Sequence, residues 1–251
     1  MNREATDLAG VRHRAYETLG STNAEALARA RAGERGPLWI TAQSQTAGRG
    51  RRASQWASPP GNLYATLLLT EPSATEVAPQ LSFVTALGVH DAVAGCVPKI
   101  SPLLRVKWPN DLLVGRAKVA GILIEGESKP VFSVAIGVGV NCATHPADTA
   151  YPATNLGAAG AAVAPAVLLA GLAAAMQRRL AQWSWGQGFA AIRGDWLDRA
   201  IGLGEILQVR LPERELSGRF RGLDESGRLL LEQGGRVTTV SAGEVFGFGG
   251  P

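Results

Sequence analysis

A short run of glycines and arginines, Gly48-Arg49-Gly50-Arg51-Arg52, is the most unusual segment of the chain. Glycine lets the backbone approach a ligand closely, and each arginine offers a fork of donors for phosphate or carboxylate. The run lies between two apolar segments with strand character, where functional loops are commonly carried. It predicts an anion-binding loop, although a solvated basic turn and a nucleic-acid patch are compatible with the same residues.

A second polar constellation joins two lysines to an Asn-Asp pair. It begins at Lys107-Trp108-Pro109-Asn110-Asp111 and continues at Lys118-Val-Ala-Gly121. Two lysines that bracket an acid can bind an anionic substrate and orient a nucleophile. The same residues also suit a bulge between strands, with Lys118 solvating a hairpin.

Together the two constellations are rich in cations and poor in nucleophiles, which fits a reaction between two anions. Catalysis then consists of positioning and of neutralising repulsion, as when a carboxylate attacks the α-phosphate of ATP. The chain has neither the GxxxxGK[ST] nucleotide signature nor the GxSxG hydrolase signature. Gly137-Val-Gly-Val-Asn141 offers only a GxG after a strand, which is either a tight strand exit or a ligand loop.

Apolar periodicity predicts the strands and helices that must position these loops. Capping-box spacing at residues 22–25 predicts a helix that starts near Ser21 or Thr22, and the same spacing at residues 73–76 predicts a second helix start. Pro165 fits the first turn of a third helix. Gly115 and Arg116 predict a hairpin turn. The predicted strands are 11–19, 38–42, 62–70, 103–107, 112–114, 119–125 and 131–140, and the later predicted helices are 166–183 and 189–200.

The pattern changes after residue 201 to short strands separated by Pro-Glu, Asp-Glu-Ser-Gly and Gly-Gly turns. This spacing is typical of a small all-β barrel. The predicted fold class is therefore α+β, with a mixed sheet flanked by helices over residues 1–200 and a small barrel over residues 201–251. The predicted barrel strands are 206–211, 216–223, 228–233 and 236–241.

Composition excludes several classes of protein. The 251 residues carry 25 Lys and Arg against 21 Asp and Glu, and with 46% hydrophobic residues they are not intrinsically disordered. Two cysteines and three histidines argue against a disulfide framework and against a zinc or histidine-rich site, so no metal ligands are predicted. Residues 151–177 are uncharged but mostly alanine and glycine, and the N-terminus is charged; we expect a soluble, cytoplasmic protein without a membrane span.

These motifs resemble those of the biotin–protein ligase family. They occur in the family's order and spacing, and the resemblance spans nearly the whole chain. Thr154-Asn-Leu156 and the C-terminal barrel extend it. The matching segments are Ser21-Thr-Asn23, Gln45-Thr-Ala-Gly-Arg-Gly-Arg-Arg52 with Trp56, Lys107-Trp-Pro-Asn-Asp111, Lys118-Val-Ala-Gly121 and Gly137-Val-Gly-Val-Asn141.

The resemblance implies a class II synthetase-like fold followed by an SH3-like domain, and a reaction in two steps. Biotin and ATP with Mg²⁺ form biotinyl-5′-AMP and pyrophosphate, and a lysine of a biotin carboxyl carrier domain then attacks the mixed anhydride. Family members that repress transcription carry an N-terminal helix-turn-helix domain. Because the catalytic motif here starts at Ser21, we expect a monofunctional ligase, a monomer or weak homodimer that does not bind DNA.

The resemblance also assigns roles to individual residues. Among the catalytic residues, Lys118 contacts the biotin carboxylate and the α-phosphate, Arg51 holds the acyl-phosphate end of the intermediate, Lys107 neutralises phosphate charge and Asp111 orients the incoming amine. The implied biotin-binding residues are Ser21, Thr22, Asn23, Gln45, Arg49, Gly50, Arg51, Lys118 and Gly121. The implied nucleotide-binding residues are Arg51, Arg52, Trp56, Lys107, Asn110 and Asn141.

Two other functions compete with this interpretation. Lipoate or octanoate transfer uses a related fold and also acylates a carrier lysine, but the full arginine loop and the C-terminal barrel favour biotin. Nucleic-acid binding is suggested by the sequence pI of about 9.4. The small net charge of +4 and the 6% aromatic content argue against it.

Overall fold

The computed structural model describes residues 3–147, 149 and 151–248, which form four α-helices, thirteen strands and several short 3₁₀ turns. The helices are α1 (Thr22–Arg31), α2 (Leu81–Cys96), α3 (Pro165–Trp183) and α4 (Phe189–Leu197). The first eight strands are β1 (Arg3–Leu8), β2 (Val11–Leu19), β3 (Leu38–Gln45), β4 (Leu63–Thr70), β5 (Leu104–Lys107), β6 (Asp111–Val114), β7 (Ala117–Glu127) and β8 (Ser133–Val140). The last five are β9 (Ile206–Arg210), β10 (Glu215–Leu223), β11 (Leu229–Gln233), β12 (Arg236–Val240) and β13 (Glu244–Phe248).

The larger sheet has the strand order β1-β2-β3-β4-β8-β7-β6-β5. Its β2 and β3 pair in parallel and its other described neighbours pair antiparallel. Helix α1 packs on one face against Leu38, Ile40 and Ala135, while α2 and α3 cover the opposite face, where Trp39 and Ile136 lie. Burial on both faces explains the continuous apolar run of β4. This mixed, helix-flanked sheet confirms the predicted α+β class.

The C-terminal strands form a second, antiparallel sheet in the order β12-β11-β10-β9-β13. Four of its strands follow the prediction within a residue or two, whereas β13 was not predicted. This sheet packs against the turn between β5 and β6, because Trp108 Nε1 donates to the carbonyl of Gly227 at 3.2 Å. The C-terminal sheet therefore reaches the lysine-bearing motif.

One of the two predicted helix starts is correct and the other is wrong. Helix α1 begins at Thr22, as predicted. The cap of α1 is Ser21 and not Thr22, because the Ser21 hydroxyl accepts a hydrogen bond from the Ala24 N–H at 3.4 Å. The spacing at residues 73–76 does not open a helix, and α2 begins only at Leu81, after a 3₁₀ turn. A helix from Ser73 would place Pro79 in its interior, where proline lacks the N–H donor and clashes with the preceding turn.

Pro165 starts α3, as predicted. The uncharged residues 151–177 supply about the first two thirds of this helix, which packs on α2. Within the described ranges, no helix combines the length and the apolar character that a membrane crossing demands.

Candidate active site

One cleft collects the residues that the sequence motifs single out. Its walls are the start of α1, the loop after β3, the turn between β5 and β6, the middle of β7 and β8, and the start of β13. Its volume, open mouth included, is about 1030 Å³, which suits a small-molecule site. The predicted residues that line it are Ser21, Thr22, Asn23, Gln45, Arg49, Gly50, Arg51, Arg52, Trp56, Lys107, Asn110, Asp111, Lys118 and Gly121.

The start of α1 forms a polar pocket whose donors and acceptors are held in place. Thr22 donates to Gln45 Oε1 from both its N–H, at 2.8 Å, and its hydroxyl, at 3.1 Å. Gln45 Nε2 in turn donates to Ser58 Oγ at 2.9 Å, and Thr66 Oγ1 donates to Asn23 Oδ1 at 2.7 Å. A fixed set of this kind can bind a compact polar group, because each buried polar atom then finds a partner.

Asp111 lies between two ammonium groups. Its Oδ1 is 2.6 Å from Lys118 Nζ and its Oδ2 is 2.9 Å from Lys107 Nζ. Burial alone would raise the pKa of Asp111, but the charges of Lys118 and Lys107 outweigh burial and hold it below the ordinary value. Lys107 is also buried, with Nζ 4.1 Å from the ring centre of Tyr151 and 3.2 Å from the carbonyl of Val245. Two cations around one anion leave a positive site for an anionic ligand.

The arginine loop contacts the cleft at two points. Arg49 Nη2 lies 3.1 Å from Glu125 Oε2 on β7. Arg51 Nη1 lies 3.4 Å from Asn110 Oδ1 and 3.3 Å from the carbonyl of Gly243. Burial, together with the charge of the adjacent arginine, lowers the pKa of Arg51. The guanidinium remains charged, so Arg51 adds a cation beside the lysine pair.

The loop folds back closely on itself at Gly50. Gly50 N–H donates to the carbonyl of Ser54 at 2.7 Å, and a Cβ at Gly50 would lie 2.5 Å from Ser54 Oγ. Two residues on, Arg52 has a φ of +54°, in the left-handed region that non-glycine residues seldom occupy. The run thus makes a tight turn that presents its arginines close to the cleft.

The indole of Trp56 lies on bare backbone at the cleft floor. Gly121 and Gly139 face each other across β7 and β8. A Cβ at Gly121 would lie 2.9 Å from Trp56 Cζ3, and one at Gly139 would lie 2.6 Å from Trp56 Nε1. Lys118 Nζ is 5.3 Å from the ring centre. The two glycines therefore create room for a flat group, which Trp56 fills in this structure.

Comparison with known proteins agrees with this geometry. The sequence profile of the Biotin/lipoate A/B protein ligase family matches residues 21–141, and that of the Biotin protein ligase C terminal domain matches residues 202–246. The biotin–[acetyl-CoA-carboxylase] ligase of Paracoccus denitrificans is 44% identical over 239 residues, covering 92% of this chain and 98% of the relative. The chain belongs to the biotin protein ligase family. Being a member of this family, it is an enzyme.

Two further biotin protein ligases resemble the chain over most of their length. The biotin–[acetyl-CoA-carboxylase] ligase of Mycobacterium tuberculosis is 34% identical over 234 residues, covering 90% of this chain and 85% of the relative. The biotin protein ligase of Aquifex aeolicus, solved in complex with biotin and ATP, matches with a TM-score of 0.79 and 25% identity, covering 93% of this chain and 97% of that structure. The architecture is therefore that of a biotin protein ligase.

Asn141 is the one predicted site residue of this ligase that the structure does not bring into the cleft wall. It is 4% exposed. Its side-chain amide donates to the carbonyl of Thr154 at 3.0 Å, and its N–H donates to the carbonyl of Val119 at 2.8 Å. Both contacts anchor the loop behind β8.

The sequence analysis does not predict two acidic residues of this region: Glu125, which contacts the lining residues Arg49 and Asn23, and Glu244. Glu125 follows Gly121 at two-residue strand intervals, so alternation along β7 could have placed it on the same face. Glu244 lines the cleft from the start of β13. No local pattern indicates this, because only the packing of the C-terminal sheet brings Glu244 there.

Proposed function

We propose that this chain joins biotin to ATP, giving biotinyl-5′-AMP and pyrophosphate, and then transfers biotin to a lysine of a biotin carboxyl carrier domain. The relative from Paracoccus denitrificans is named for ligation to acetyl-CoA carboxylase, and the Aquifex aeolicus enzyme was solved with biotin and ATP. The observation that carries the proposal is the cluster of Lys107, Asp111 and Lys118 with Arg51 in one cleft.

The first step brings two anions together. An oxygen of the biotin carboxylate attacks the α-phosphorus of ATP, and the bond to the bridging oxygen of pyrophosphate breaks. Lys118 is the partly exposed lysine of the cluster and would contact both the carboxylate and the α-phosphate, while the buried Lys107 adds positive charge. Placed cations of this kind stabilise the charge that develops in the transition state.

In the second step the carrier lysine, as a free amine, attacks the acyl carbon; AMP leaves and the nitrogen loses a proton. Asp111 would orient this amine, and Arg51 would hold the acyl-phosphate until the carrier arrives. A mixed anhydride hydrolyses in water, so a closed arginine loop protects it. We assign biotin contacts to Ser21, Thr22, Asn23, Gln45, Arg49, Gly50, Arg51, Lys118 and Gly121, and nucleotide contacts to Arg51, Arg52, Trp56, Lys107 and Asn110.

Mg²⁺ would enter with ATP. Among the residues that the structure describes, no group of three or more His, Cys, Asp or Glu side chains could hold a metal ion. The ion would therefore be held mainly by phosphate oxygens and water, as is common for this cation, and would neutralise phosphate charge.

The proposal has a wider frame. We divide the chain into a catalytic domain over residues 1–200 and a C-terminal domain over residues 201–251. We further propose a cytoplasmic monomer or weak homodimer that acts as a ligase without a DNA-binding role. Size-exclusion chromatography tests the oligomeric state, and a salt-dependent gel shift with duplex DNA tests whether the protein binds DNA.

The deciding experiment is incubation with ATP, Mg²⁺, biotin and an isolated carrier domain, read by mass spectrometry. The expected result is the addition of one biotinyl group at one lysine, dependent on ATP. Lipoate and octanoate in place of biotin provide the comparison. Transfer of either acid in preference to biotin would contradict the proposal and favour the lipoate alternative.

A further inference from the structure

One carboxylate oxygen joins the arginine loop to the floor of the cleft. Glu125 Oε2 accepts from Arg49 Nη2 at 3.1 Å and from Asn23 Nδ2 at 2.8 Å. The three residues come from the loop after β3, the first turn of α1 and the far half of β7. Glu125 therefore links a residue of the arginine loop to a buried residue of α1.

On the α1 side of this contact, Asn23 is buried and hydrogen-bonded through both atoms of its amide. Asn23 is 3% exposed, its Nδ2 also donates to the carbonyl of Leu123 at 3.2 Å, and its Oδ1 accepts from Thr66. A Cβ at Gly137 would lie 2.4 Å from Asn23 Oδ1, so the amide fills the space left by that glycine. The position of the Glu125 carboxylate is thus set by the buried core of the cleft.

On the loop side, the described arginines depend on this carboxylate more than on any other acid. Among the described residues, Arg49–Glu125 is the loop's one ion pair within 4.0 Å. The contacts of Arg51 to Asn110 and to the carbonyl of Gly243 are longer, at 3.4 and 3.3 Å, and involve neutral acceptors.

A negative charge such as that of Glu125 is unexpected beside a site proposed to bind two anionic ligands. A carboxylate at the rim of a cleft for a carboxylate and a nucleotide would repel both ligands unless it is paired. Arg49 neutralises it, and the pairing draws the loop towards β7. A neutral side chain could have anchored Asn23 equally well.

We propose that Glu125 is a positioning residue that holds the arginine loop closed over the cleft through Arg49. This inference rests on the proposed function, because closure matters only if a reactive adenylate lies beneath the loop. When Glu125 loses its charge, the loop opens more often and the adenylate escapes.

The matched pair of variants is Glu125→Gln and Glu127→Gln. Both residues lie on the same face of β7, and Glu127 pairs at 2.5 Å with Arg31 of α1, away from the loop. Gln keeps an oxygen for Asn23 and removes only the charge. Glu125→Asp retains the carboxylate and serves as the rescue variant.

The first readout needs no catalysis: the rate of tryptic cleavage after Arg49, Arg51 and Arg52 in the ligand-free protein. Glu125→Gln should raise it roughly 2- to 5-fold, the factor that a partly exposed ion pair supports, and high salt should reduce the difference. Glu127→Gln and Glu125→Asp should cleave nearly as the unchanged protein does. Equal loop cleavage in Glu125→Gln and Glu127→Gln overturns the inference, and cleavage that rises equally outside the loop, showing general destabilisation, overturns it too.

The second readout is biotinylation of a bystander protein in the presence of ATP and biotin, compared with that of the carrier. Glu125→Gln should increase the bystander share by a similar factor, whereas Glu127→Gln should not. If the unchanged protein biotinylates no carrier, the proposed function fails while the proteolysis result still stands. If it biotinylates the carrier and Glu125→Gln leaks no more than Glu127→Gln, only the role of Glu125 fails.

Discussion

Removing the Lys118 side chain should slow the reaction strongly while reducing the folding free energy only slightly. Its side chain is 28% exposed and makes one ion pair, at 2.6 Å, with Asp111. In Lys118→Ala the carboxylate keeps Lys107 at 2.9 Å, so the loss of folding free energy should stay near 1 kcal/mol, as for partly exposed pairs. The lost contact to the reacting oxygens should cost about 3–4 kcal/mol in the transition state, or roughly 10²–10³ in rate, by analogy with removal of an oxyanion donor.

The assay is biotin-dependent release of pyrophosphate, run beside thermal unfolding of the same preparations. Lys107→Ala gives the contrast, because that side chain is only 5% exposed and breaking a buried pair costs about 3–5 kcal/mol of stability. Lys99→Ala, at an exposed position outside the cleft, is the matched control. A near-normal rate in Lys118→Ala would refute the assignment, and so would a larger loss of stability there than in Lys107→Ala.

Three other substitutions test other parts of the site. Arg51→Gly should release biotinyl-5′-AMP and label lysines indiscriminately in a protein mixture, and unchanged selectivity would count against the loop's protective role. Asp111→Asn should destabilise the fold by about 3 kcal/mol near neutral pH. The folded-state pKa of Asp111 is depressed, so the stability that its carboxylate contributes is present above the unfolded-state pKa of about 3.9 and is lost as the pH falls through the folded-state pKa. The melting curves of the two proteins should therefore converge in acid. Gly139→Ala places a methyl 2.6 Å from the indole beneath the loop and should weaken biotin binding in calorimetry roughly tenfold or more, as overpacking does; Gly126→Ala, whose added carbon meets its nearest neighbour at 3.5 Å, should bind normally.

The strands that the sequence predicts most accurately are those buried on both faces. Residues 62–70 and 131–140 became β4 and β8 within two residues at each end, because a continuous apolar run admits few other structures. The strands that were missed lack this signal. β1 is Arg-Glu-Ala-Thr-Asp-Leu, largely polar, and β13 is Glu-Val-Phe-Gly-Phe, with a glycine inside it. Each forms a strand only because a neighbour supplies hydrogen-bond partners.

The helix starts show the limit of local rules. Ser21 and Thr22 are both good N-cap residues, and the backbone at Ser21 decides between them because it is the extended one. At residues 73–76 the cap spacing was present, but Pro79 made the following segment unfit for a helix. The first signal therefore places the helix start correctly and misses only which residue caps it, whereas the second fails because of Pro79.

The site residues that share one sequence motif were predictable. A residue that is distant in sequence and reaches the site only through packing of the second sheet was not. Lys107, Asp111 and Lys118 lie within a single hairpin region, so their meeting follows from β5, β6 and β7. Glu244 arrives on a strand of the other sheet. Asn141 shows that proximity to a glycine motif in sequence does not by itself bring a side chain into the cleft wall, since its amide binds the carbonyl of Thr154 instead.

The facing glycines on β7 and β8 have a consequence for how this cleft can change over evolutionary time. Where a side chain forms a wall, a ligand site can be retuned by exchanging one group for another of different size. Here the wall is the backbone of two glycines. Glycine is the smallest residue, so any substitution at these positions makes the cleft smaller and none makes it larger. A change in ligand specificity must therefore come from the loops and side chains around the rim of the cleft, while the glycine backbone of β7 and β8 stays unchanged.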